Sequence, residues 1–165
     1  MEKMDQKQEE AYQRYFEAYM EAHEKEMLED AKALIAIDSE RMEAEKGMPF
    51  GKGAAKVFKE AEKILLRHGF RTKNYDNYCG SAIYGDNPNG DSIGIIAHMD
   101  IVPEGNGWTH DPFDPYLSED GKYLFGRGTA DDKAPAMVGL YAMRFLKEHG
   151  IKLKNDVMLV FGLNE

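Results

Sequence analysis

The sequence predicts an α/β protein: a layered α/β/α arrangement around a central mixed sheet, preceded by a long amphipathic helix. Three observations carry this reading. Apolar residues recur at helical spacing in three segments. Short apolar runs bounded by turn residues alternate with two of those segments. A strand-turn-strand pattern adds antiparallel pairing, which makes the sheet mixed.

The first helical stripe runs Tyr12, Tyr15, Phe16, Tyr19, Met20, His23 and continues through Met27, Leu28, Ala31, Leu34 and Ile35. This i, i+3, i+4 pattern gives one apolar face. A face of this kind packs on the chain's own core or on a partner helix, and the core is the simpler expectation. Residues 1–8 are expected to fray. The glycines of residues 47–53 mark a loop, and their spacing fits no phosphate-binding pattern. A second helix is expected over residues 54–68, with Val57, Phe58, Ala61, Ile64 and Leu65 inward and Gly69 as its stop.

Strand signals follow. Residues 70–75 and 81–84 read as short extended segments, and residues 86–90 as a turn. Ile93-Gly94-Ile95-Ile96-Ala97 reads as a buried strand over residues 92–97. A long loop spans residues 99–112. Residues 115–118 and 122–125 form a hairpin closed by Glu119-Asp120-Gly121. A third helix is expected over residues 133–149, ended by Gly150, and a final buried strand over residues 157–163.

The chain has 165 residues, of which 42% are apolar, enough for one packed core. The net charge of −9 argues against a nucleic-acid partner. Most of that excess lies in residues 1–30, with ten acids against four bases, so it says little about a substrate. The single cysteine, Cys79, excludes an internal disulfide and suits a reducing cytoplasm. With no companion motif, Cys79 is expected to be structural. No apolar run approaches a membrane span, and the acidic N-terminus carries no signal-peptide pattern.

Three places carry chemistry. His98-Met99-Asp100 follows the apolar strand directly, and residues i and i+2 of an extended chain share a side. A carboxylate there can orient a metal-binding imidazole. Gly126-Arg127-Gly128-Thr129-Ala130-Asp131-Asp132-Lys133 joins a strand to a helix. One of its aspartates is accounted for as a helix N-cap, which leaves the other free to bind metal. Glu165 ends another apolar strand. Histidine nitrogen and carboxylate oxygens together suit zinc, and a further carboxylate can serve as general base.

Read together, Ala97-His98-Met99-Asp100-Ile101-Val102-Pro103, Gly107-Trp108-Thr109-His110-Asp111-Pro112-Phe113, Gly126 to Lys133 and Gly162-Leu163-Asn164-Glu165 resemble the dinuclear-zinc exopeptidases of the aminoacylase, carnosinase and glutamate carboxypeptidase group. Ile35-Ala36-Ile37-Asp38-Ser39, Pro49-Phe50-Gly51 and Lys73 to Tyr78 look like its bacterial dipeptidase branch. The resemblance covers roughly residues 25–165. It implies a cytoplasmic metallo-dipeptidase in which His98 and Asp131 ligate metal, Asp131 bridging two zinc ions. Cobalt or manganese could replace zinc. Asp100 would orient His98, and Glu165 would be the general base. Trp108 and Phe113 are expected to pack the loop, and the Asp131–Asp132 peptide is often cis in that group. An aminoacylase or deacylase using the same metal site, or a non-catalytic binding remnant, are the alternatives.

The family pattern ends in Glu-Glu, and only the first is present here. The second Glu, a further Asp and a distant His, all metal ligands in the resemblance, lie outside the sequence. Residues 1–165 are therefore expected to be a single partial catalytic domain, with a helical segment over 1–36 and a metal-site core over 54–165. Such a piece is expected to bind metal weakly and to be inactive alone. Its dipeptide preference and oligomeric state are left open.

Overall fold

The computed structural model describes residues 5–87 and 90–165. Helix α1 spans Gln6–Ile35 without a break. Asp5 Oδ1 accepts from the Gln8 backbone N–H at 2.9 Å, and Gln8 Oε1 accepts from the Asp5 N–H at 3.0 Å. This capping box satisfies two end groups reciprocally, so residues 5–8 form an ordered start where fraying was expected. Residues 1–4 lie outside the described residues.

Helix α2 covers Gly51–Arg67, starting three residues before the expected position. The glycines here serve close approach more than chain reversal. A Cβ on Gly53 would lie 2.3 Å from the Asp38 carbonyl oxygen, so this turn of α2 can sit against residues 38–39 only without a side chain.

The sheet strands are β1 Arg71–Tyr75, β2 Cys79–Tyr84, β3 Ser92–His98 and, near the end of the chain, Asp156–Gly162. Between β3 and that last strand lie the short β4 Tyr116–Leu117 and β5 Leu124–Phe125, which pair with each other, and helix α3 Lys133–Glu148. The last strand is therefore β6. The main sheet has the order β1-β2-β6-β3, antiparallel except for the parallel pair β3 and β6. The predicted mixed α/β fold is borne out, and the predicted hairpin is present in shortened form. The turn read over residues 86–90 includes 88 and 89, which lie outside the described residues.

One sheet face is packed. Leu159 and Phe161 of β6 point the same way, since strand residues alternate. Phe161 meets Phe58 of α2, and Leu159 lies beside Gly139 of α3 with Ile95 of β3. Both helices therefore cover this face, and their side chains join one buried cluster with Leu34 and Ile35 of α1. The aromatic stripe of α1 packs within the chain: Tyr15, Phe16 and Tyr19 meet the ring of Phe145.

Strand β3 departs from its expected burial. Ile96 is 84% exposed and Ile93 is 59% exposed. The reason is position: among the described residues β3 pairs with β6 on one side only, and Ile96 points away from the helices. Strand β6, central between β2 and β3, buries Val157, Leu159 and Phe161 as its apolar pattern predicts. Cys79 opens β2 as a half-buried free thiol.

Candidate metal centre

Parallel pairing of β3 and β6 decides where the chemistry collects. The register sets His98 opposite Gly162, so both strands end at one edge of the sheet. The Met99 N–H donates to the Gly162 carbonyl at 2.9 Å, holding the two exits together. His98 thus comes out beside the segment carrying Glu165. The N-terminus of α3 brings Asp131 and Asp132 to the same edge, joined by a cis peptide bond.

His98 Nε2 lies 2.8 Å from Asp131 Oδ1 and 3.6 Å from Glu165 Oε2. One ligand atom from each of His98, Asp131 and Glu165 falls within 4.8 Å of the other two. The histidine is the sheltered member, with its side chain 17% exposed against 76% for Asp131 and 66% for Glu165. The imidazole is thereby fixed in a wall, and two carboxylates face solvent above it.

Asp100 sits behind this triangle and is buried. Its Oδ2 accepts from the Glu165 N–H at 3.0 Å. Its Oδ1 lies 3.5 Å from His98 Nδ1 and has no hydrogen-bond partner. Nδ1 instead approaches the Asp100 carbonyl oxygen at 3.1 Å. Donation from Nδ1–H to either Asp100 oxygen leaves Nε2 as the ring's lone-pair nitrogen, the state a metal ligand needs. The orphaned, buried Oδ1 beside the ring and the nitrogen-plus-carboxylate donor set both fit a divalent metal ion.

Burial works against a charge on His98. The Asp131 hydrogen bond, the Asp100 carbonyl and the charges of Asp100 and Glu165 outweigh it, and the imidazole is held above its ordinary pKa.

All four residues singled out from the sequence, His98, Asp100, Asp131 and Glu165, come together. Sequence reasoning missed three supports. Asp132 precedes α3 yet makes no side-chain cap; its Oδ2 accepts from the His98 N–H at 3.3 Å and ties the two arms of the site. Lys133 is fully buried and donates from Nζ to the Ile37 carbonyl at 2.7 Å. Ser39, also fully buried, donates from Oγ to the Met99 carbonyl at 2.7 Å. A buried lysine has no signature in a single sequence, although its place directly after two aspartates was a usable hint. In the long loop, Trp108 donates from Nε1 to the Glu104 carbonyl, and the Arg127 guanidinium lies over its ring.

The mixed α/β layer brings acids and an imidazole together at the strand exits. Residues 94–165 match the profile of Peptidase family M20/M25/M40. The chain resembles this family over that segment. It is 43% identical over 153 residues to the Beta-Ala-Xaa dipeptidase of Lactobacillus delbrueckii subsp. lactis, covering 91% of this chain and 32% of that protein. Human carnosine dipeptidase 1 shares the fold, with a TM-score of 0.74 at 20% identity over 93% of this chain and 34% of that one. A dinuclear metal-binding M20 peptidase of Bacillus subtilis superposes with a TM-score of 0.58 at 16% identity, covering 86% of this chain and 35% of that one. The chain spans about a third of the length of the curated relative it matches. Among the described residues no helix is long and apolar enough to cross a membrane.

Proposed function

We propose that this chain is the metal-site portion of a zinc-dependent dipeptidase acting on small peptides such as those with an N-terminal β-alanine. The observation that carries the reading is the convergence of His98 Nε2, Asp131 Oδ1 and Glu165 Oε2 within 4.8 Å. The likeness to a β-Ala-Xaa dipeptidase supports the substrate class. The dinuclear centre of the Bacillus subtilis relative supports two ions, with zinc as the metal and cobalt or manganese as substitutes.

His98 and Asp131 would hold the metal, Asp131 through its carboxylate. When bound, the ions supply Lewis acidity, making a water acidic at neutral pH and polarising the peptide carbonyl. The Asp100 backbone carbonyl fixes the imidazole through Nδ1, so that Nε2 keeps its lone pair. The Asp100 carboxylate Oδ2 holds the Glu165 N–H and so sets the height of the Glu165 carboxylate over the triangle. Glu165 accepts the proton of the attacking water and returns it to the leaving amine. These 165 residues alone offer too few protein ligands for two catalytic ions, which use about three protein ligands each.

The test is a chimera in which these residues replace the matching third of the Lactobacillus enzyme. Hydrolysis of β-alanyl dipeptides that a chelator abolishes, and that His98→Ala or Asp131→Ala removes, is expected. A well-folded chimera that binds metal yet cleaves no dipeptide would refute the assignment.

A further inference from the structure

Between α1 and α2 the chain passes through Ile37, Asp38, Ser39 and Glu40, a short stretch far in sequence from every residue of the metal triangle. Its polar groups are engaged with both arms of the site. The Ser39 hydroxyl donates to the carbonyl of Met99, the residue between His98 and Asp100. Glu40 bridges Ile101 in parallel fashion, extending the line of β3 past its end. The Ile37 carbonyl takes the hydrogen bond of the buried Lys133 ammonium, two residues beyond Asp131. Packing closes the remaining freedom. The Asp38 carbonyl lies against Gly53, where a Cβ would approach to 2.3 Å, and Ile35 lies against Gly126, where a Cβ would approach to 2.6 Å. Gly126 opens the loop that leads to Asp131.

Lys133 makes this more than packing. Among the described residues no carboxylate lies within ion-pair distance of its ammonium. Its nearby charges are Asp38 and Asp100. A buried ammonium costs several kcal/mol in desolvation, and an apolar residue of similar length would fill the space with less penalty. Folding alone does not call for it. Placing a fixed donor and a positive charge beneath a group of carboxylates does.

We infer that residues 37–40, through Ser39 and Lys133, form a positioning brace that fixes the His98 and Asp131 arms at metal-binding separation. Ser39 sets the height of the His98–Asp100 arm through the peptide between them. Lys133 ties the start of α3 to the same stretch. Both engage backbone carbonyls and not the ligand atoms of the triangle, so both act through the ligands. The inference rests on the metal-site reading above.

The experiment compares the chain with its Ser39→Ala and Lys133→Met variants in three measurements: thermal unfolding without metal, cobalt(II) titration followed by the visible ligand-field bands, and the imidazole ¹⁵N shifts of His98 in the metal-free chain. Tyr84→Phe is the control. It removes a hydroxyl that donates to the Ile151 carbonyl at 2.9 Å at the opposite end of the sheet. The brace predicts that Ser39→Ala and Lys133→Met weaken cobalt binding by about 10- to 100-fold, the range for residues that support metal ligands. It predicts altered cobalt bands and moved His98 nitrogen shifts, with Lys133→Met folding as well as the parent. Tyr84→Phe lowers the unfolding midpoint and leaves affinity within about twofold, because distant sites act independently. Unchanged affinity, bands and nitrogen shifts in both brace variants would overturn the inference. If the parent takes up no cobalt, the metal reading falls, and the His98 shifts still decide whether the brace positions the ring.

Discussion

Replacing Asp30 with alanine removes an acceptor that joins all three long helices. Asp30 lies in the last turns of α1 and is almost fully buried. It accepts from His68 Nε2 at 2.8 Å, from the Tyr141 hydroxyl at 3.0 Å, and from Arg67. Arg67 has a half-exposed side chain and can turn to water, so its loss costs little. His68 and Tyr141 have no such escape, since both side chains are buried. Each buried donor left without a partner costs about 1–3 kcal/mol, which puts Asp30→Ala at roughly 2–6 kcal/mol of destabilisation. Asp30→Asn keeps one acceptor and should lose about half as much.

Acid adds a second readout. Burial raises the Asp30 pKa, but the hydrogen bonds from His68, Arg67 and Tyr141 prevail and hold the carboxyl below its ordinary value. A depressed carboxylate contributes stability that is present above the unfolded value of about 3.9 and is lost as pH falls through the folded value. The parent should therefore lose stability below about pH 4 through this group, and Asp30→Asn should lack that component. Urea denaturation across pH measures both effects. An Asp30→Ala variant within about 0.5 kcal/mol of the parent would refute the reasoning, because that is the ordinary range for a surface change.

Further outcomes follow from the same geometry. Gly53→Ala should destabilise by about 1–3 kcal/mol, since its Cβ would collide with the Asp38 carbonyl. Gly94→Ala meets nothing within 4 Å and should be neutral or stabilising by about 0.5–1 kcal/mol; denaturant midpoints of the pair test this contrast. Ile96→Lys should leave stability within about 0.5 kcal/mol and reduce light scattering at high concentration, because Ile96 stands on the uncovered sheet face. Metal affinity should fall as pH drops through the raised pKa of His98, with proton release on binding, and calorimetry in buffers of different ionisation enthalpy counts that proton.

The sequence was most legible where one period dominated. The α2 face carrying Val57, Phe58, Ala61, Ile64 and Leu65 lies buried as its helical spacing predicts. Ile93-Gly94-Ile95-Ile96 misled because an apolar run reports preference for burial, whereas actual burial depends on which strands stand beside it. Glycine was ambiguous in the same way. Gly51 and Gly53 look like chain breakers, yet they belong to α2 and permit contact with Met42 and Asp38. The site itself was legible because its residues sit at strand exits and a helix start, which local signals mark. Its supports were not. Ser39 and Lys133 matter through partners at separations of 60 and 96 residues, and no local pattern encodes such distances.

The central claim is that His98, Asp131 and Glu165 form part of a metal centre. Calorimetric titration of zinc into the purified chain and its His98→Ala variant at neutral pH tests it most directly. The account predicts weak binding of a single ion to the parent and none at that site in the variant. Equal binding by both proteins, or tight uptake of two ions by these 165 residues alone, would contradict it.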